Sequence, residues 1–152
     1  MKVLVVYDTK YGNTKLVAET IGKGLEGVEG IETAFHDIEK LKLDDLPDFD
    51  VVLIGSPNHF GRPVRSINRF IDRLGELDTR AKKAAVFDTY LGGDFNKAVL
   101  KMESRIKEKV PDLELISPGL SIKVEGTKGP IAYGELPKCR DFGNKIASHA
   151  RA

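Results

Sequence analysis

The stretch Lys2-Val3-Leu4-Val5-Val6-Tyr7-Asp8-Thr9-Lys10-Tyr11-Gly12-Asn13-Thr14 decides the fold. Val3 to Tyr7 is an unbroken apolar run with no polar residue at alternate positions. A strand with one wet face would alternate, so this one is expected to be buried on both faces, as in a parallel sheet covered by helices. The run gives way to a polar loop at Asp8, and Val17, Ile21 and Leu25 then recur at i, i+4 and i+8, the stripe of a helix. Asn13 or Thr14 is the expected N-cap, with Gly27 and Gly30 as stops.

Working outward, the alternation of strand and helix continues. Ile31 to Ile38 reads as a more polar strand at a sheet edge. Glu39 to Asp50 is a charged connector, anchored by Leu41, Leu43 and Leu46, with room for a helical turn. Val51-Val52-Leu53-Ile54-Gly55 is a second central strand. Ile67, Phe70, Ile71 and Leu74 then mark a helix face that Pro63 is placed to start. Lys83 to Phe87 forms a further strand, and Phe95, Val99, Met102 and Ile106 mark a helix ending before Pro111. Leu113 to Val124 is strand-like but broken at Pro118-Gly119, and Leu136, Cys139, Phe142, Ile146 and Ala150 share one side of a last helix. Five strands alternating with helices imply an α/β fold, a parallel sheet covered on both faces.

Composition narrows the function. At 152 residues the chain lies in the size range of one domain, so residues 1–152 are expected to form a single unit. Its 24 Lys+Arg against 23 Asp+Glu argue against a surface that wraps nucleic acid and against a self-repelling chain. Cys139 is the one cysteine, so an internal disulfide is excluded and a reducing, cytoplasmic location is expected. No apolar run approaches the ~20 residues of a membrane span, and Val3 to Tyr7 is too short for the core of a signal peptide.

In open parallel sheets ligands bind beyond the carboxyl ends of the strands, where the winding reverses. Three loops lie there. Thr9 to Thr14 leads into a helix start, whose free N–H groups face outward at the positive end of the dipole. Thr9, Asn13 and Thr14 add donors and Gly12 permits close backbone approach, which makes a phosphate cradle. The second loop, Gly55-Ser56-Pro57-Asn58-His59-Phe60-Gly61-Arg62-Pro63, is shaped by prolines and glycines and carries an aromatic. The third, Asp88-Thr89-Tyr90-Leu91-Gly92-Gly93-Asp94, again pairs an aromatic with glycines. A flat aromatic ligand is expected between the second and third loops, its phosphate resting in the first.

Two other motifs carry nothing. Gly22-Lys23-Gly24-Leu25-Glu26-Gly27 matches the dinucleotide pattern G-x-G-x-x-G but has no strand immediately before it, so helix termination is the expected role of its glycines. A phosphorylated receiver domain needs an aspartate where this chain has Gly55-Ser56.

Together these residues resemble the flavodoxin family almost end to end. Thr9-Lys10-Tyr11-Gly12-Asn13-Thr14 is similar to its FMN-phosphate loop. Ser56-Pro57-Asn58-His59-Phe60-Gly61 and Thr89-Tyr90-Leu91-Gly92-Gly93 are similar to the two loops that flank the flavin ring. The final helix, from Cys139 to Ala147, is also similar, and the lack of a long insertion in the fifth strand matches the short-chain branch. The resemblance implies a three-layer, doubly wound sheet of five parallel strands in the order 2-1-3-4-5. It also implies non-covalent FMN, one-electron transfer, and protein redox partners (a reductase and an acceptor), with neither nucleic acid nor membrane as a partner. Phe60-Gly61 would be the peptide whose carbonyl turns toward the ring.

The chain departs from that pattern in being near-neutral, with Lys10 and Arg62 in the presumed flavin loops, and in having no tryptophan. Nearby positive charge stabilises an anionic reduced flavin, so its lower couple is expected to be less negative than in acidic relatives. Tyr11 and the Ser56-Pro57…Phe60-Gly61 pattern also resemble flavodoxin-like NAD(P)H:quinone reductases, the rival enzymatic reading. The short chain leaves little to build their substrate pocket. His59 is open between a flavin contact and a solvent-facing residue. His36 and His149 are expected at the surface and Cys139 in the core. Asp8 and Asp88 are expected to hydrogen-bond loops.

Overall fold

The computed structural model describes residues 1–77 and 81–151 and contains one parallel sheet. Its strands are β1 (Lys2–Tyr7), β2 (Glu32–Asp37), β3 (Val51–Pro57), β4 (Lys83–Tyr90), β5 (Glu114–Leu115) and β6 (Leu120–Lys123). The helices are α1 (Asn13–Glu26), α2 (Arg65–Leu74), α3 (Lys97–Lys109) and α4 (Leu136–Arg151). The order is β2-β1-β3-β4, with β5 and β6 both along the outer side of β4. This is the expected 2-1-3-4-5 winding with the fifth strand in two pieces. Pro118 has no N–H for the ladder. At the neighbouring Gly119 a Cβ would lie 2.3 Å from Val99 Cγ1, so the chain bends close under α3 at the break.

The unbroken apolar run of β1 is explained by two cores. Val3, Val5 and Tyr7 pack with Val17, Ile21 and Leu25 of α1 and Ile146 of α4. Leu4 and Val6 point the other way, among Ile67, Phe70, Val99 and Met102 of α2 and α3. Each fully buried aliphatic side chain contributes roughly 1.5–3 kcal/mol, so burial on both faces is what holds the sheet between its helices.

Several local expectations are corrected. Helix α1 starts at Asn13, and its cap is Gly12 in the left-handed region (φ 90°) rather than an Asn13 or Thr14 side chain. Helix α2 starts at Arg65 after Val64, so Pro63 precedes the cap and does not begin the helix. Phe95 lies before α3 and is exposed, because its side chain belongs to the loop and not to the core face. The connector after β2 holds two single 3₁₀ turns, Ile38–Lys40 and Leu43–Asp45. Of the glycines in the G-x-G-x-x-G match, only Gly27 sits at a helix end. Gly22 and Gly24 instead permit close packing: a Cβ on Gly24 would lie 2.1 Å from the Arg140 carbonyl, and one on Gly22 2.2 Å from the Phe35 ring. Gly143 is equally tight against the Ile21 carbonyl, at 2.2 Å, so α1 and α4 touch backbone to backbone.

Candidate functional site

The carboxyl ends of β1, β3 and β4 converge because these strands are adjacent and parallel. From β1 the chain turns through Thr9 and Gly12, the Gly12 N–H donating to Thr9 Oγ1 at 2.9 Å. No side chain caps α1, so its first-turn N–H groups stay open toward the cleft. Thr14 is buried, and its hydroxyl lies 3.0 Å from the Thr89 hydroxyl, tying the first loop to the third. Lys10 and Lys128 place their ammonium groups 5.5 Å and 5.9 Å from the centre of the Tyr11 ring.

From β3 the chain forms a tight hairpin. The N–H of His59 donates to Arg62 O at 2.9 Å, and the N–H of Arg62 donates to His59 O at 3.0 Å. The two residues between them, Phe60 (φ 53°) and Gly61 (φ 80°), are both left-handed, as a two-residue hairpin loop of the primed type requires. For Gly61 this costs nothing; for Phe60 it stores roughly 1–3 kcal/mol. Asn58 holds the turn, its Oδ1 accepting the Gly61 N–H at 2.8 Å and its Nδ2 donating to Asp94 O at 2.8 Å. Phe60 projects from the tip, 95% exposed.

The third loop stands on a buried carboxyl. Asp88 is fully buried and accepts the Val99 N–H at 3.1 Å and the Ser121 hydroxyl at 2.5 Å. Burial pushes its pKa up to about 6, although these hydrogen bonds pull the other way. Above it, Tyr90 meets Phe95 edge to face, ring centres 5.4 Å apart. Burial also raises the Tyr90 phenol, reinforced by Glu135.

These loops enclose a cleft of about 390 Å³, within the range of a cofactor site. Thr9, Lys10, Tyr11, Asn13 and Thr14 line it from the first loop, and Pro57, Asn58, His59 and Phe60 from the second. Thr89, Tyr90 and Leu91 line it from the third. The other expected positions sit behind the wall. Gly12 and Gly61 shape turns, and Gly92 and Gly93 lie at the tip of the third loop with open space where a Cβ would be. Ser56 is buried under the floor, its hydroxyl accepting the Val64 N–H at 2.9 Å. The sequence reading missed Asp94, and also Val124 and Thr127 from the loop after β6. That loop folds back onto α1: a Cβ on Gly129 would lie 2.5 Å from Asn13 Oδ1. Its signal was Gly126-Thr127-Lys128-Gly129, a loop of small donors with a lysine.

The residues expected to be bland divide. Cys139 is fully buried, and desolvation pushes its thiol up to about 12. Asp8 accepts the Ser66 hydroxyl, and the His149 ring meets the Ile116 carbonyl at the surface. His36 is half-buried on β2 rather than exposed, because it pairs with the buried Val6 of β1. His59 is exposed at the cleft, so it faces both solvent and the site.

A family model described as Flavodoxin matches residues 5–126. The chain is 38% identical to a flavodoxin of Aquifex aeolicus, over 96% of this chain and 85% of that protein. It is 28% identical to the type A flavoprotein fprA of Rhodobacter capsulatus, over 97% of this chain but only 33% of that longer protein. A solved flavodoxin from the domain Archaea superposes with a TM-score of 0.82 at 25% identity, covering 100% of both chains.

Proposed function

The chain belongs to the flavodoxin family of flavin-bearing electron-transfer proteins, and from that premise we propose that the cleft holds FMN and that the protein shuttles single electrons between protein partners. The observation that carries this reading is the convergence of an uncapped helix start and an aromatic hairpin on one cleft at the point where the winding reverses.

The donor set fits the group. The open N–H groups of α1, with Thr9, Asn13 and Thr14, would take the phosphate dianion at the positive end of the helix. Phe60 and Tyr90, from opposite walls, would flank the ring system, and Pro57, Asn58, His59, Thr89 and Leu91 would complete its surroundings. Ser56, Gly12, Gly61, Gly92 and Gly93 would act by shaping the loops, and Lys10 and Tyr11 by closing the phosphate end. Bound FMN would supply the one-electron chemistry; the chain's part is to orient it, shield its apolar edge and set the surrounding charge. The Phe60-Gly61 peptide, with its N–H held by Asn58, is the backbone group nearest the tip of the second wall.

The relatives favour this carrier over an NAD(P)H:quinone reductase. No described helix is long and apolar enough to cross a membrane. The test is visible absorbance of the purified protein, with mass analysis of what it releases on denaturation. A flavin spectrum and the mass of FMN are expected. Protein that stays colourless in excess FMN would refute the assignment.

A further inference from the structure

The charges of this chain are unevenly placed. The segments that follow β1, β3, β4 and β6 around the cleft, residues 8–15, 56–65, 88–101 and 123–129, carry eight Lys/Arg and four Asp/Glu. The whole chain carries 24 and 23, so everything outside these four segments is net negative. Most of the segments' acids are already engaged. Asp88 is buried, Asp8 takes the Ser66 hydroxyl, and Asp94 pairs with Lys97 at 3.1 Å. The cations are not spent in the same way. Among the described residues neither Arg62 nor Lys101 is in an ion pair, and the Lys101 ammonium lies 3.8 Å from where a Cβ on Gly61 would stand. Lys10 and Lys128, at the opposite end beside Tyr11, are the ones placed to meet a phosphate.

Inside this basic frame the surface is apolar. Phe60 is 95% exposed, Phe95 60%, Leu100 55% and Leu91 40%. The first two lie on the hairpin and on the loop that Asn58 ties to it, and Leu100 is on the first turn of α3 beside Lys101. An apolar centre with a charged rim is the anatomy of a protein interface, and the rim's sign selects the partner.

We propose that the partner of this site is an acidic electron-transfer protein, seated on Phe60, Leu91, Phe95 and Leu100 and steered by Arg62 and Lys101. The inference rests on the electron-carrier reading of the cleft for its purpose, but the docking itself needs no flavin. A bound phosphate dianion would neutralise the Lys10 and Lys128 end and leave the Arg62 and Lys101 end positive. A nucleic acid is disfavoured, because the phosphate-contacting cations would flank a protruding aromatic tip instead of forming a continuous groove.

The test uses ferric cytochrome b5, an acidic haem protein, and basic cytochrome c as probes. Binding is measured by titration calorimetry, and electron transfer from the photoreduced holoprotein by stopped flow. Association with cytochrome b5 should weaken by about tenfold or more between about 20 mM and about 300 mM sodium chloride, whereas cytochrome c should show no such loss. The double substitution Arg62→Glu with Lys101→Glu should abolish the cytochrome b5 preference at low salt. Lys2→Glu with Lys107→Glu, the same charge change away from this rim, should leave it intact. Salt-independent binding, a preference for cytochrome c, or equal loss in both double variants would overturn the proposal. Binding of a random DNA duplex that competes with cytochrome b5 would also overturn it. Protein that binds no FMN yet still takes cytochrome b5 in this salt-sensitive way would sink the flavin assignment and keep the docking surface.

Discussion

Raising the pH across the mildly acidic range should weaken the fold through one carboxyl group. Asp88 is fully buried, and burial raises its pKa from the ordinary carboxylate value of 3.8 to about 6. The folded protein therefore holds this proton more tightly than the unfolded chain does. The resulting stability is fully present below the unfolded value and is lost as pH rises through about 6. A gap of about two units at about 1.4 kcal/mol each corresponds to a loss of about 3 kcal/mol. Other groups titrate in the same range, so the quantity to measure is a difference. Urea unfolding followed by far-ultraviolet circular dichroism, at steps from about pH 4 to about pH 7.5, gives a stability curve for the native chain and for Asp88→Asn. The amide cannot ionise, and its altered bonds to Val99 and Ser121 add an offset that pH does not change. The native chain should lose about 3 kcal/mol relative to the variant over this window, most of it between about pH 4 and about pH 6. A difference that is flat across the window would show that Asp88 ionises as easily folded as unfolded, its hydrogen bonds cancelling its burial.

Other outcomes follow from the packing and the site. Gly24→Ala drives a methyl into the Arg140 carbonyl, and with only backbone to yield it should cost about 1–3 kcal/mol in urea unfolding, against almost nothing for alanine at Gly93, where the space is open. Phe60→Asn places a residue that tolerates the left-handed region at φ 53°, so the flavin-free protein should gain about 1 kcal/mol in thermal unfolding while FMN titration shows weaker binding. Arg62→Glu should move the lower flavin potential to a more negative value in a redox titration, because it removes a cation from the second loop and adds an anion there. Cys139, fully buried with its thiol pushed up to about 12, should react with a disulfide reagent only as fast as the protein unfolds; fast labelling of folded protein would contradict its burial.

Much of this was legible in the chain because it depends on short-range pattern. The strands and helices were readable from Val3–Tyr7, from Val51–Gly55 and from the stripe of Ile67, Phe70, Ile71 and Leu74, since periodicity reports directly which faces are buried. The three lining loops were readable because a parallel winding places successive strand ends side by side. Phe95 was misread because spacing alone cannot show that a helix begins at Lys97, two residues later. The loop after β6 was missed because nothing near Thr127 in sequence shows that Gly129 packs on Asn13. Gly22 and Gly24 were misread as helix terminators because the reason for them lies across the fold, in the Phe35 ring and the Arg140 backbone.

The amino-acid order alone determined that a sheet buried on both faces would form, and that small donors and aromatics would stand at its carboxyl edge, because burial and capping act within a few residues. The tertiary structure alone decided which of those residues face one cleft, that Asp88 would be sealed from water beneath it, and that Arg62 and Lys101 would frame an exposed apolar tip. Those properties are set by distances between segments far apart in the chain, and desolvation and charge act through space.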